Sequence, residues 1–294
     1  MDSKLSVSII IVSYNTADLT LACIESIKTV VKSCTYEIIV VDNASSDDSV
    51  SRIRQTYDDV VLIESEENIG FGRANNLGCR KARGKYLFFL NSDTVLQNDP
   101  FEWFVPFYEA HENVGALGGY LVDGKGEYTL SGGKTYSAAK YLRVAYNGLL
   151  RREGEVELPL SAHPSKVDYV IGADLFVEKS LFEMAGGFNP RIFMYLEDVE
   201  LCGKFVRLNK ENYVISGPKI THFVKASSKS QFSRVYNTAS LMYCLRKQMN
   251  PISFRLFQAA YFLMKAPLLF RFRNFADECQ YVGSIYHYKK YLSK

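Results

Sequence analysis

Branched and aromatic apolar residues recur in four short, nearly unbroken runs, Val7–Val12, Glu37–Val41, Val60–Ile63 and Tyr86–Leu90, and a helix-length amphipathic stretch follows each of the first three. A strand with no polar face must be covered on both sides, and parallel strands need crossover connections, so the pattern points to a parallel sheet wrapped by helices. In the first helix Leu19, Cys23, Ile27 and Val30 or Val31 fall at three- and four-residue spacing behind Thr16, which is suited to cap it. Further helices are expected near Ser46–Tyr57 and from about Phe71 to Lys81. The fold class is therefore α/β, a Rossmann-like, mostly parallel sheet with helices on both faces.

Past Asp99-Pro100, a helix start, glycine-rich turns appear at Gly124-Lys125-Gly126 and Ser131-Gly132-Gly133, after a strand over Gly115–Val122. Residues 134–166 carry the weakest signal and read as a variable acceptor-side insertion. A strand over Tyr169–Val177 and helices near Ser180–Ala185 and Glu197–Leu208 restore α/β order. We expect one domain over 1–228, split into a nucleotide-binding half (1–99) and an acceptor-side half (100–228), followed by a basic, aromatic-rich helical segment (229–294). A content of 47% hydrophobic residues among 294 supports a sizeable core, and a net charge of +3 is too small to call for nucleic acid. Cys23, Cys34, Cys79, Cys202, Cys244 and Cys279 form no CxxC pair and read as reduced core residues. The first residues lack the apolar length and cleavage site of a signal peptide, so export is not expected.

Each apolar run empties into a polar loop. Ser13-Tyr14-Asn15 follows the first, Asp42-Asn43-Ala44-Ser45 the second, Asn68-Ile69-Gly70-Phe71-Gly72 the third and Asn91-Ser92-Asp93 the fourth. In open α/β sheets ligands sit beyond the carboxyl ends of the strands, so these loops together describe a nucleotide site. Tyr14 is suited to pack on a base, Asp42 to accept from a base N–H, and Gly70 and Gly72 to let backbone approach the ligand. Asp93 at a strand end can hold Mg²⁺ or Mn²⁺ beside a diphosphate, and His222 can add an imidazole. In the later helix, Val199, Cys202 and Val206 form an apolar stripe, while Glu197 and Asp198 open the first turn. A carboxylate there is placed to take the proton of an attacking hydroxyl. Glu200, two residues on and so about 200° around the helix, is the competing base.

Taken in order, Val7-Ser8-Ile9-Ile10-Ile11-Val12-Ser13-Tyr14-Asn15, Val40-Val41-Asp42-Asn43-Ala44-Ser45, Asn68-Ile69-Gly70-Phe71-Gly72 with Asn75-Asn76, Leu90-Asn91-Ser92-Asp93, Gly172-Ala173-Asp174, Gly186-Gly187-Phe188 and Glu197-Asp198-Val199-Glu200-Leu201-Cys202 resemble the family 2 glycosyltransferases of GT-A fold, and within them the bacterial rhamnosyltransferase-like branch. The resemblance implies an inverting transfer from a nucleotide-sugar donor, with dTDP-rhamnose the expected one, to a lipid-linked or growing cell-surface polysaccharide, and a UDP-hexose transferase of the same fold is the alternative. It implies Asp198 as base, Asp42 on the nucleotide base, Asp93 and His222 on Mg²⁺ or Mn²⁺, and Asp174 and Glu197 near the sugar or acceptor. Ser13, Tyr14, Asn15, Asn43, Gly70, Asn76 and Ser92 complete the nucleotide set. Asn91 stands where many relatives carry the first Asp of Asp-x-Asp, and Asn75-Asn76 where many carry Arg-Asn, leaving His222 or a nearby Lys to supply positive charge.

From Asn212 to Ala276 there is no Asp or Glu, while Lys219, Lys225, Lys229, Arg234, Arg246, Lys247, Arg255, Lys265, Arg271 and Arg273 alternate with Phe254, Leu256, Phe257, Tyr261, Phe262, Leu263, Leu268, Leu269 and Phe270. Lys265 and Pro267 interrupt a run already too short to span a bilayer, so an interfacial helix is expected, on an anionic membrane surface at the cytoplasmic face. A polyisoprenyl-diphosphate-linked acceptor fits that setting. A nucleotidyltransferase would normally place a Gly-rich basic loop after the first strand, and Ser13-Tyr14-Asn15-Thr16 has neither. A binding module without activity would be expected to lose Asp42, Asp93 and Asp198.

Overall fold

The computed structural model describes residues 6–135, 137–149, 164–223, 230–270 and 275–293. In chain order the first part runs β1 (Val7–Ser13), α1 (Ala17–Val30), β2 (Tyr36–Asp42), α2 (Ser49–Thr56), β3 (Val61–Glu64), α3 (Phe71–Cys79), β4 (Tyr86–Asn91), β5 (Thr94–Leu96), α4 (Phe101–Ala110), β6 (Val114–Val122) and β7 (Gly132–Gly133). Then come α5 (Ala138–Leu149), β8 (Ser165–Val167), β9 (Tyr169–Val170), β10 (Asp174–Glu178), α6 (Lys179–Met184), α7 (Glu197–Arg207), β11 (Glu211–His222), α8 (Ser230–Gln248), α9 (Pro251–Lys265) and α10 (Phe275–Gly283).

The main sheet is ordered β3-β2-β1-β4-β10-β6-β11-β5, with β8 on β11. β1, β2, β3 and β4 pair in parallel, and antiparallel pairing enters with β10 beside β4. The chain builds outward from β1 to β3 and then returns to place β4 on the other side of β1, so strand order reverses between β1 and β4. That reversal opens a crevice at their carboxyl ends.

Side-chain alternation explains why the runs are apolar throughout. Ile9, Ile11, Val40, Phe88 and Phe176 pack on one side with Cys23, Ile27, Phe101 and Phe104. Ile10, Ile39, Phe89 and Leu175 pack on the other with Phe182, Phe188, Leu201 and Phe205. Both faces of β1, β2 and β4 are thus buried, while β3, at the edge of the sheet, stays half-exposed.

The described residues divide into two compact units along the boundaries Met1–Lys134, Pro159–Asn189 and Glu197–Ser227 for the first, and Thr135–Leu158, Pro190–Leu196 and Ser228–Lys294 for the second. The second has its own core of Val235, Ala239, Met242, Leu245, Phe254, Phe257, Tyr281, Val282 and Ile285. Within the segment read as an insertion, α5 forms, and residues 150–163 lie outside the described residues, as do Lys225, Lys229, Arg271 and Arg273 of the basic series.

Several local expectations need correcting. The strand over Tyr169–Val177 is two strands in different sheets, β9 pairing with β7 and β10 with β4 in the main sheet, and Ile171, Gly172 and Ala173 form the loop between them. Thr16 occupies the N-cap position of α1, but its hydroxyl reaches Ser92 (3.2 Å) rather than a helix amide. The Ala17 N–H instead donates to Asp47 at 3.3 Å. None of the six cysteines is in a disulfide, yet only Cys23 and Cys202 are buried, and Cys279 is exposed.

Candidate functional site

The polar loops at the carboxyl ends of β1, β2 and β4, with the turn before α3, hold one another through side-chain hydrogen bonds. The Ser13 hydroxyl, fully buried, lies 3.0 Å from that of Thr20, and Thr16 bridges onward to Ser92, so the ends of β1 and β4 are tied across the strand reversal. Asn15 has φ of 54°, and its side-chain oxygen accepts from the Ser46 N–H at 2.7 Å while its own N–H donates to Ser45 Oγ at 2.9 Å. Asn43 donates to Asn68 Oδ1 at 3.0 Å and accepts from the Ile69 N–H at 3.0 Å, which fixes the turn into α3. Gly70 at the head of that helix has φ of 82°, a conformation that favours glycine. Tyr14 is 47% exposed beside this framework, free to meet a planar ligand.

Asp42 is buried; Oδ2 accepts from the Ser45 N–H at 2.9 Å and Oδ1 has no partner. A buried carboxylate oxygen left without a donor is costly, so it is a natural acceptor for a ligand N–H. Asn76 is different. Both ends of its amide clamp the backbone of Phe188, donating to the carbonyl at 2.8 Å and accepting from the N–H at 3.0 Å. Gly72 likewise makes room for Phe188, whose Cβ would stand 3.1 Å from a side-chain carbon added there. These positions, read from the sequence as facing the nucleotide, pack α3 against the loop after α6.

Antiparallel pairing of β11 with β5 sets His222 opposite Thr94 and brings its Nε2 to 3.3 Å from Asp93 Oδ1. Asn91, at the end of β4, places its amide nitrogen 3.5 Å from the same imidazole, and its side-chain oxygen is buried without a partner. Among the described residues no three of His, Cys, Asp and Glu stand close enough to hold a metal by themselves. Asp93 and His222 with the orphaned Asn91 oxygen nonetheless fit a divalent cation that takes its remaining ligands from a diphosphate, as Mg²⁺ commonly does.

The loop Ile171–Ala173 links this end of β4 to α7. The Asn91 N–H donates to the Ala173 carbonyl at 3.0 Å, and the Gly172 N–H donates to Asp198 Oδ2 at 2.9 Å. Asp198 Oδ1 accepts from the Val199 N–H at 2.7 Å. Burial pushes the Asp198 carboxyl above its ordinary range, against those two amides. Glu197 beside it is buried with Oε2 unpartnered, and burial followed by the charge of Asp198 pushes it up to about 8. Tyr195 and Leu196, just before α7, both have positive φ (69° and 65°), backbone strain of the kind that concentrates at functional sites. Glu200 is already engaged, accepting from Asn189 at 3.1 Å and pairing with Lys204 at 3.2 Å. The docking face of α7 is Leu201, Cys202 and Phe205, while Val206 is 50% exposed, so the stripe expected through Val199 and Val206 is rotated away.

Asp174 lies inside the sheet opposite Leu90, fully buried, with Oδ2 accepting from the Gly119 N–H at 2.6 Å and Oδ1 unpartnered. Burial holds it well above the usual carboxylate range. Asn68 and Gly172, which organise the two halves of this rim, stood in the sequence only within longer motifs, with no role of their own expected for the Asn68 side chain or the Gly172 amide. A surface cleft lined by Tyr108, His111, Glu178 and Lys210 contains none of the candidate residues.

The chain is 30% identical over 216 residues to the low-salt glycan biosynthesis hexosyltransferase Agl10 of Haloferax volcanii, covering 70% of this chain and 62% of that protein, less than two thirds of its length. It is 25% identical over 224 residues to the rhamnosyltransferase WbbL of Escherichia coli, covering 72% of this chain and 83% of that one. Among solved structures, GalNAc-T7 with UDP, GalNAc and Mn²⁺ superposes with a TM-score of 0.60 at 13% identity, over 87% of this chain and 55% of the other, a likeness of GT-A fold alone. Residues 8–163 match the family described as "Glycosyl transferase family 2". That match runs through more than half of the 294 residues and carries the β1, β2 and β4 loops with it, and the chain belongs to this family.

Proposed function

We propose that the chain transfers a sugar from a nucleotide-sugar donor to an acceptor hydroxyl with inversion, Asp198 serving as base. The reading is carried by one run of contacts: His222 to Asp93, Asn91 to Ala173, and Gly172 to Asp198. This connects the candidate diphosphate end of the sheet to a carboxylate held by two backbone amides. In the step, Asp198 takes the proton of the acceptor hydroxyl, the acceptor oxygen bonds to the anomeric carbon, and the bond from that carbon to the diphosphate breaks. A single displacement of this kind inverts the anomeric centre. A divalent cation held by Asp93 and His222, Mg²⁺ or Mn²⁺, would neutralise charge on the leaving diphosphate. Asp42, with its free oxygen, binds the base; Tyr14 covers it; Ser13, Asn15, Asn43, Gly70 and Ser92 shape the pocket.

Rhamnose from dTDP-rhamnose is the favoured donor, supported by likeness to a rhamnosyltransferase. A UDP-hexose donor is the second reading, supported by the hexosyltransferase name of the Haloferax relative. The acceptor is a lipid-linked or growing surface glycan met at the inner face of the cell membrane, supported by the acid-free basic stretch. Thermal-shift measurements against a panel of nucleotide-sugars, with and without Mn²⁺, test the reading. A donor at about a hundred times its Kd adds about 2.7 kcal/mol of apparent stability. Asp93→Ala should abolish the Mn²⁺-dependent part of the shift. A panel without any stabilising donor, or an unchanged Mn²⁺-dependent shift in Asp93→Ala, refutes it.

A further inference from the structure

Helix α9 has two apolar faces, and folding uses only one. Phe254, Phe257, Gln258 and Tyr261 point into the core of the second unit. On the other side Ile252, Leu256 and Leu263 are 75%, 67% and 70% exposed. With Ala259, also exposed, they stand at i, i+4, i+7 and i+11, a single stripe along the helix. Among the described residues, these three are with Met184 the most exposed large apolar side chains. A contiguous stripe of this kind marks a contact surface.

The charge around the stripe identifies its partner. Arg255 is exposed beside it and Arg246 and Lys247 are exposed at the end of α8, with no Asp or Glu between Asn212 and Ala276 to balance them, whereas Lys265, about 150° around α9 from the stripe, lies over the Tyr261 ring. A second copy of the chain packed on this face would set like charges against one another, whereas a layer of anionic headgroups over an acyl boundary matches both the cations and the leucines. No helix among the described residues is long and apolar enough to cross a membrane.

We propose that α9 is a lipid-contacting helix that lies along an anionic bilayer surface, with Ile252, Leu256, Ala259 and Leu263 entering the acyl boundary and Arg255 meeting phosphates. The proposal deepens the reading of a membrane-borne acceptor and rests on it for its purpose. Its physical basis is the surface itself.

The test is cosedimentation of the full chain with vesicles of phosphatidylcholine alone and of phosphatidylcholine with phosphatidylglycerol. The chain should bind the anionic vesicles, less so at high salt. Leu256→Gln with Leu263→Gln, changes at exposed positions, should weaken partitioning at least about tenfold, since membrane affinity scales with apolar area buried. Met184→Gln, an equally exposed apolar site in the first unit, should leave it unchanged. Equal binding to both vesicle types, equal binding of the double variant and the parent, or no binding by the parent overturns the proposal. So does a parent dimer that the double variant converts to monomer without any vesicle binding. Donor-induced thermal shifts on the same proteins keep the two readings apart: the double variant should retain them, and their absence in the parent would count against the transferase reading while the vesicle result stands.

Discussion

Replacing Asp198 by Asn separates the base from the helix it begins. The carboxylate accepts two backbone hydrogen bonds, from Gly172 at 2.9 Å and from Val199 at 2.7 Å. An amide offers one oxygen, so one of these N–H groups loses its acceptor, a loss of about 1.5–3 kcal/mol for a bond to a charged group. Part of that is offset, because the charge that pushes up the neighbouring Glu197 carboxyl disappears. The variant should therefore fold, with a melting temperature lowered by several degrees, at about 2–4 °C per kcal/mol for a domain of this size. Catalysis should suffer far more. Loss of a general base lowers the transfer rate about 10²–10⁴-fold, equivalent to about 2.7–5.5 kcal/mol of barrier. Donor affinity, measured by titration calorimetry, should stay within a few-fold. Glu200→Gln is the companion: Glu200 already bonds Asn189 and Lys204, and the amide keeps an acceptor for Asn189, so its rate should remain close to the parent's. A collapse in Glu200→Gln with a near-normal rate in Asp198→Asn would refute the assignment, and failure of Asp198→Asn to fold would make the carboxylate structural.

Two further outcomes follow from named geometry. With Glu197 pushed up from 4.5 to about 8, the folded state holds a proton there that the unfolded chain has released, so stability should fall as pH rises through that window; Glu197→Gln should remove the slope, and a melting-temperature difference between variant and parent that stays constant from about pH 5 to pH 8 would refute this. Gly187 has φ of 65°, and a Cβ there would stand 2.7 Å from Asn76 Oδ1, whereas Gly186 at φ of 75° has open space around it. Gly187→Ala should cost more than Gly186→Ala, for which the left-handed backbone alone costs about 1–2 kcal/mol; equal losses in chemical denaturation would show that the Asn76 clamp on Phe188 does not depend on that close approach.

The strands β1, β2 and β4 and the loops that follow them were legible in the sequence because a strand covered on both faces can show no polar residue until it leaves the sheet, and β3, at the edge, was legible from its short apolar run alone. Asp42, Asp93 and Asp198 stood out as acids at such exits or at a helix start. Local pattern could not choose which apolar residues of α7 face the core, since Val199, Leu201, Cys202 and Val206 are all suited to it; the packing of Leu201, Cys202 and Phe205 against the sheet decided the rotation. The break at Ile171–Ala173 was hidden for the same reason: the residues are as apolar as a strand, and the chain breaks there because β9 pairs with β7 and β10 with β4 in a different sheet. Asn76 has the local pattern of a ligand residue, but its amide closes on Phe188, 112 positions away in the chain. The ends of β1, β2 and β4 and the acids that stand near them follow from local pattern, because burial and capping act over a few neighbouring residues. Only the tertiary structure set His222 beside Asp93 and Gly172 beside Asp198, because those distances depend on the register of β11 on β5 and on how far the chain departs from the sheet, quantities fixed by contacts between segments remote in sequence.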